Sequence, residues 1–103
     1  MIHVVATLRV DPSRREEFLT RFAELTPLVH AEKGCIEYGA AVDEPTGLDA
    51  QEMAGDDAVV VIEKWESAQA LKDHLAAPHM DEFFQSVNDM LRGLSVRVLR
   101  PAT

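Results

Sequence analysis

The chain has 103 residues, enough for one hydrophobic core but not for two, so residues 1–103 are predicted to form a single domain. Ten basic against eighteen acidic residues give a net charge of −8, which opposes binding to nucleic acids and to anionic membrane surfaces. No apolar run approaches the ~20 residues of a membrane span. The first residues lack the features of a signal peptide and Cys35 is the only cysteine, so we expect a cytoplasmic protein without disulfides.

The first 30 residues predict a strand followed by a helix. Residues 2–10 alternate between an apolar face and a mixed one, as a half-buried strand does. Ser13, followed three residues later by Glu16, has the pattern of a capping box and indicates the start of a helix. Apolar side chains then recur at helical spacing, and Pro27 is expected to kink this helix or to end its regular part near Thr26.

The middle of the chain predicts two strands separated by a long loop. Residues 35–42 alternate, and the predicted apolar face consists of Ile36, Tyr38, Ala40 and Val42. Residues 43–57 are rich in acids and turn formers, and a loop of this length is uncommon in a compact domain unless it covers something. Residues 58–65 predict a third strand, with one face made of Val59, Val61, Glu63 and Trp65. Its unbroken apolar run indicates burial on both sides.

The last third of the chain predicts two short helices and a fourth strand. Ser67 is a suitable N-cap for a helix that ends at Ala76 or Ala77, and Pro78 fits the first turn of a second helical segment. Residues 94–100 predict the final strand. The resulting order β-α-β-β-α-β is that of an α+β, ferredoxin-like sandwich.

The uncovered face of such a sheet is the reason to expect a homodimer. Helices cover one face of the four strands, and the apolar run of the third strand also supplies side chains to the other face. A monomer would therefore expose a large apolar patch. We expect two sheets to pack face to face around a twofold axis.

Polar residues suited to chemistry cluster around the third strand and the helices after it. His74 and His79 are five residues apart, about 140° around a continuous helix, so simple helical spacing does not direct them to one metal ion. A histidine at a pocket rim can move protons near neutral pH, but the sequence is equally compatible with an exposed or core histidine. Likewise, Trp65 and Tyr38 either line a pocket for a flat ring or complete the core. Glu63 is either a pocket carboxylate or a residue at the strand end that reaches solvent. A glycine-rich phosphate loop, a serine elbow and a cysteine pair are all missing, so nucleotide cofactors, serine hydrolysis and zinc-finger chemistry lack their usual signatures. Because few ligands converge on the two histidines, no metal or other cofactor is predicted.

Two segments resemble a known family. Glu32-Lys33-Gly34-Cys35-Ile36-Glu37-Tyr38 resembles the E-x-G-C-x-x-Y pattern at the start of the second strand of antibiotic-biosynthesis-monooxygenase domains. The stretch from Ile62 to Ser67, with Ala70-Leu71, His74 and Pro78-His79, resembles their E-x-W-x-S-x-x-A-L-x-x-H-x-x-x-P-H signature. With the matching order of strands and helices, the resemblance covers nearly the whole chain.

The resemblance implies a dimeric α/β-barrel with a small-molecule pocket in each subunit, between the open sheet face and the second helical region. It also implies a cofactor-independent monooxygenase that uses O₂ on a quinol or another electron-rich aromatic molecule. The residues on motif positions are then the candidate site, with His74, or else His79, as the base, Glu63 as an orienting catalytic group, and Trp65 and Tyr38 against the ring. Two alternatives remain open: a cofactor-free isomerase or tautomerase, and a non-catalytic, stress-associated dimer that binds a small molecule.

Overall fold

A computed structural model describes residues 1–103, and its strands and helices follow the predicted order. The strands are β1 (Ile2–Val10), β2 (Cys35–Ala41), β3 (Ala58–Trp65) and β4 (Leu91–Leu99). The helices are α1 (Arg15–His30), α2 (Ala68–Leu75) and α3 (Pro78–Val87). None of these helices has both the length and the apolar character needed to span a bilayer.

The four strands form one antiparallel sheet in the order β2-β3-β1-β4, which confirms the predicted α+β, ferredoxin-like class. Pairing across the sheet puts Glu63 of β3 between Val4 of β1 and Tyr38 of β2. Directly opposite residues of a sheet lie on the same face. Glu63 and Tyr38 therefore share the face that the helices cover.

The core lies between that face and the helices. In β1 the predicted alternation is confirmed, because its buried residues are Val4, Ala6, Leu8 and Val10. The buried stripe of α1 consists of Phe18, Phe22, Leu25 and Val29, at the spacing of one helical face. Phe83 of α3 packs edge-on against both phenylalanines of α1, with ring centroids 5.6 and 6.0 Å away.

The predicted capping box of the first helix and its predicted end near Thr26 are both wrong. Asp11 Oδ1 accepts hydrogen bonds from the Ser13 hydroxyl (2.7 Å) and backbone N–H (3.0 Å), so this hydroxyl is engaged in a turn before α1 and does not form the capping box. The helix also continues through Pro27 to His30. Val29, beyond the proline, is completely buried, and its packing favours continuation over an end near Thr26.

Strands β2 and β4 also differ in detail from the prediction. A register irregularity between Cys35 and Glu37 pairs Cys35 with Trp65, so Ile36 is 55% exposed and does not share the buried position of Tyr38. Strand β4 begins at Leu91, three residues earlier than predicted, because it pairs with the end of β1 across a second irregularity.

One face of the sheet, the open face, is not covered by helices. In β3 the open face carries Val60, which is half-buried, and Ile62, which is 43% exposed. The prediction that β3 is buried on both sides is therefore wrong for the single chain. Edge strand β4 is poorly covered even on the helix side, where Val98 is 51% exposed.

Candidate active site

A cavity of about 70 Å³ lies between the helix-covered face of the sheet and helices α2 and α3. Its walls are apolar side chains from all four strands and all three helices, interrupted by the polar groups of Tyr38, Glu63 and His74. The expectation that the pocket lies against the open face is wrong. Val4, Ala6 and Leu8 of β1 line the cavity on the sheet side and the helices close it on the other, whereas the open face has no such cover.

The mouth of the cavity lies between α2 and the edge strand β4. Leu75, Leu94 and Val96 line it and are each more than half exposed. The long loop at residues 43–57 contributes nothing to the cavity wall. It is held elsewhere: Asp43 accepts backbone hydrogen bonds from Ala54 and Gly55 at 2.9 and 2.8 Å.

Glu63 is a carboxyl group on an otherwise apolar strand face, and it is only 6% exposed. Its Oε1 accepts a hydrogen bond of 2.9 Å from the indole Nε1–H of Trp65, two residues along on the same face. Burial raises the pKa of Glu63, and the bond from Trp65 and the nearby His74 only partly oppose this. Glu63 therefore holds a proton more readily than an ordinary glutamate.

Trp65 has no exposed surface and does not line the cavity. It lies behind His74, with ring centroids 4.6 Å apart, and its polar atom is used by Glu63. In this geometry Trp65 supports two cavity residues, and its ring is not available to a molecule in the cavity.

His74 is the most deeply buried polar residue of the site, at 1% exposure. Its Nδ1 lies 2.8 Å from Oε2 of Glu32, and a carboxylate there takes a hydrogen bond from Nδ1–H. When the ring is neutral, Nε2 is then the nitrogen without a proton. Nε2 makes no hydrogen bond within the protein. Since every fully buried side-chain nitrogen and oxygen has a hydrogen-bond partner, Nε2 must keep some accessible surface. Because His74 lines the cavity, this surface faces the cavity.

Glu32 is the residue that sequence reasoning missed. It follows α1 in a tight turn, its side chain is 14% exposed, and its Oε2 contacts both His74 Nδ1 and His79 Nε2 at 2.8 Å. The helix break at Pro78 allows this, because the angle of a continuous helix no longer separates the two rings. The available signal was its position as the first residue of the E-x-G-C-x-x-Y pattern.

His79 lies on the other side of the wall formed by α3. Its side chain is 23% exposed and lines a surface depression between α1 and α3, not the cavity. The structure thus brings three of the five predicted site residues, Tyr38, Glu63 and His74, to the cavity. Trp65 contacts Glu63 and His74 from behind, whereas His79 is connected to the site only through Glu32.

Tyr38 forms the aromatic wall of the cavity opposite the helices. It stacks on Phe22 at 5.3 Å with an interplanar angle of 11°, and its ring meets His74 edge-on at 5.3 Å. Burial, reinforced by the negative charges of Glu63 and Glu32, strongly raises the pKa of its hydroxyl. The hydroxyl therefore remains a hydrogen-bond donor at any working pH.

The polar groups do not form a metal site. No group of three or more His, Cys, Asp or Glu side chains has the geometry to hold a metal ion. The two imidazole nitrogens point at the same carboxylate oxygen at hydrogen-bonding distance. What the arrangement supplies is a carboxylate-held imidazole, a raised-pKa carboxyl group and a phenol in an apolar cavity.

The sequence profile of the antibiotic biosynthesis monooxygenase family matches residues 1–86. The chain belongs to this family. It is 37% identical over 103 residues, 98% of each chain, to "Probable quinol monooxygenase YgiN" of Escherichia coli (strain K12). A conserved protein from Methanosarcina mazei Go1 is similar in structure, with a TM-score of 0.78, 26% identity, and coverage of 96% of this chain and 90% of that one. A solved antibiotic biosynthesis monooxygenase covers 100% of both chains with a TM-score of 0.82 at 22% identity, a likeness of fold alone.

Proposed function

We propose that the protein is a cofactor-independent monooxygenase that acts on a quinol or another electron-rich aromatic molecule. The observation that carries the proposal is His74, a buried imidazole whose Nδ1 is held by Glu32 and whose Nε2 faces an otherwise apolar cavity. Family membership and the name of the Escherichia coli relative support the oxygenase class. They do not favour an isomerase or a binding-only dimer.

In the proposed reaction His74 is the general base. Its Nε2 takes the proton of an aromatic hydroxyl, and the resulting imidazolium is stabilised by Glu32. The aromatic anion gives electrons to O₂, one oxygen atom joins the ring and the other leaves as water. A quinol and O₂ thus yield a hydroxyquinone and water, and the quinol supplies all the electrons. The hydroxyl of Tyr38 is positioned to hydrogen-bond a substrate oxygen in the same cavity.

Oxygen uptake by metal-stripped protein with reduced naphthoquinols and anthrones tests the proposal. His74→Asn keeps an N–H donor for Glu32 but has no basic nitrogen, so we expect kcat to fall by about 10²–10⁴ with a smaller effect on KM. Lys72→Gln, an exposed change on the same helix, is the matched control and should behave as wild type. Equal uptake by His74→Asn and wild type would refute the role of His74. Activity that is lost on dialysis and returns with a metal or flavin would refute cofactor independence.

We also propose that the protein is a homodimer formed through the open sheet face. Val60 and Ile62 lie there unprotected in the single chain, flanked by the ion pair between Lys64 and Glu37 at 3.1 Å. Ile62→Glu should convert the dimer into a folded monomer, because the new charge is tolerated in water but not in an apolar interface. Sedimentation of the wild type as a monomer at micromolar concentration would overturn this proposal.

We retain the expectation of a cytoplasmic location. Cys35, the only cysteine, is free and partly buried, so the fold has no disulfide that requires an oxidising compartment. Fractionation of cells that produce the protein would test this, and recovery outside the cytoplasm would contradict it.

A further inference from the structure

A single carboxylate oxygen is shared by two histidines that face different surroundings. Glu32 Oε2 lies 2.8 Å from His74 Nδ1 and 2.8 Å from His79 Nε2. The side chain of His74 is 2% exposed and borders the cavity, whereas that of His79 is 23% exposed and borders the depression between α1 and α3. The trio therefore connects the buried cavity with solvent on the far side of α3.

The trio has one carboxylate but two imidazole rings that can become positively charged. Glu32 carries one negative charge, which neutralises one imidazolium but not two. His74 Nδ1 and His79 Nε2 each lie 2.8 Å from the same oxygen, so the distance between these two nitrogens is at most twice that value. At such a short distance, two imidazolium charges would repel each other strongly. His79 is the ring that water reaches, and hydration adds to the stability of its charged form. A single positive charge on the pair is therefore better accommodated on His79 than on His74.

We propose that Glu32 and His79 are positioning residues that keep His74 in its neutral, basic form. Protonated His79 neutralises Glu32, so the buried imidazole has no unbalanced anion to attract a proton from solvent. Glu32 meanwhile holds the Nδ1–H of His74 and leaves Nε2 free toward the cavity. The catalytic part of this inference rests on the proposed function, because it assigns His74 the role of base. The coupling between the two imidazole rings does not depend on any substrate.

Other titratable and charged groups also lie near the trio. His74 and Glu32 are faced by Tyr38 and Cys35, both with a raised pKa, and by Glu63, whose pKa is also raised. The depression around His79 is lined by the charged side chains of Arg21, Glu24 and Glu82. None of these groups makes a hydrogen bond to either ring, so the shared bond to Glu32 is the direct connection.

Histidine-labelled NMR titration of the whole protein tests the coupling without any substrate. His79→Gln keeps a terminal N–H for Glu32 but cannot take a charge. We expect the midpoint at which His74 titrates to move upward by roughly one to two pH units in this variant, because Glu32 is then no longer neutralised by His79. In Glu32→Gln the midpoint should move downward instead. His3 and His30, the other two histidines, provide internal references.

Glu82→Gln is the matched control, because it removes one negative charge from the same depression without touching the shared hydrogen bonds. It should move the titration of His74 by a small fraction of the change seen in His79→Gln. An unchanged His74 midpoint in His79→Gln, or titration of His74 before His79 in the wild type, would overturn the proposal.

The pH dependence of oxygen uptake separates this inference from the proposed function. In His79→Gln the rise of kcat with pH should move upward together with the NMR midpoint of His74, with little change in KM. Coupled titration without enzyme-dependent uptake in the wild type would leave the coupling standing and sink the oxygenase. Uptake that depends on His74 but whose pH profile does not change in His79→Gln would sink the inference and leave the oxygenase standing.

Discussion

Replacing Gly34 with alanine should destabilise the protein more than any other glycine-to-alanine change outside the long loop. Gly34 has φ +86°, and a Cβ there would lie 2.7 Å from Cβ of Ala70 on α2. The left-handed backbone costs a residue with a Cβ about 1–2 kcal/mol, and overpacking of this kind adds about 1–3 kcal/mol. We therefore expect the free energy of unfolding to fall by about 2–5 kcal/mol, a large part of the ~5–15 kcal/mol of a typical domain.

Two other glycines separate these contributions. Gly47 has φ +77° with nothing within 4 Å of the added Cβ, so its alanine variant should lose only the backbone part. Gly39 has neither a positive φ nor a near neighbour, and its alanine variant should be close to wild type. Urea denaturation of the three variants gives the comparison. Equal losses for Gly34→Ala and Gly47→Ala would refute the argument that contact with Ala70 matters.

The same contact joins the two halves of the site. The carbonyl of Gly34 accepts a hydrogen bond of 2.9 Å from the backbone of Glu66, just before α2, and Gly34 is two residues from Glu32. Close packing here lets the carboxylate of Glu32 reach His74 on α2. A Gly34→Ala, Ala70→Gly double variant should therefore recover part of the stability, as well as the NMR signal of His74 that the single variant disturbs.

Two further predictions concern the pair of Glu63 and Trp65. Because burial raises the pKa of Glu63, the folded state holds a proton that the unfolded state has lost, so the stability of the wild type should fall as the pH rises from about 4 through the folded pKa. Glu63→Gln should remove this pH dependence. If urea denaturation gives parallel curves of stability against pH for the wild type and the variant, the prediction is contradicted. Trp65→Phe removes the indole N–H that Glu63 accepts at 2.9 Å, so it should cost about 1–3 kcal/mol beyond the change in packing. Measuring the effect of Trp65→Phe with and without a Glu63→Leu substitution, which removes the acceptor, would isolate this contribution.

The sequence predicts those parts of the fold that depend on local periodicity. Alternation along β1 is enough to identify Val4 and Ala6 as buried, because a strand turns every second side chain to the same face. The exposed position of Ile36 could not be predicted in this way. It depends on a shift of pairing that begins beside Gly34, where the chain passes against α2, and this contact joins residues far apart in the sequence.

The candidate site was also predictable only in part, where local motifs and strand periodicity identify its residues. The family motifs and the strand pattern identify Glu63 and His74, whose side chains do face the cavity. The sequence does not show that Trp65 lies behind them. The alternation of side chains along a strand predicts which face of the sheet a residue lies on, but not which residues pack over it at the end of the strand. Glu32 was missed because its partners are 42 and 47 residues away, and no spacing rule connects a turn to two helices.

The raised pKa of Glu63 fits the chemistry proposed for the cavity. Glu63 and His74 line the same small apolar space, where an ionised carboxylate would repel the anion that His74 produces from a quinol. A protonated Glu63 removes that repulsion and can donate a hydrogen bond to the substrate oxygen. Oxygen uptake should therefore decline as the pH rises above the pKa of Glu63, even though the substrate itself loses its proton more easily. Glu63→Gln stays neutral and should keep its activity across that range, and an identical decline in the variant would show that another group causes it.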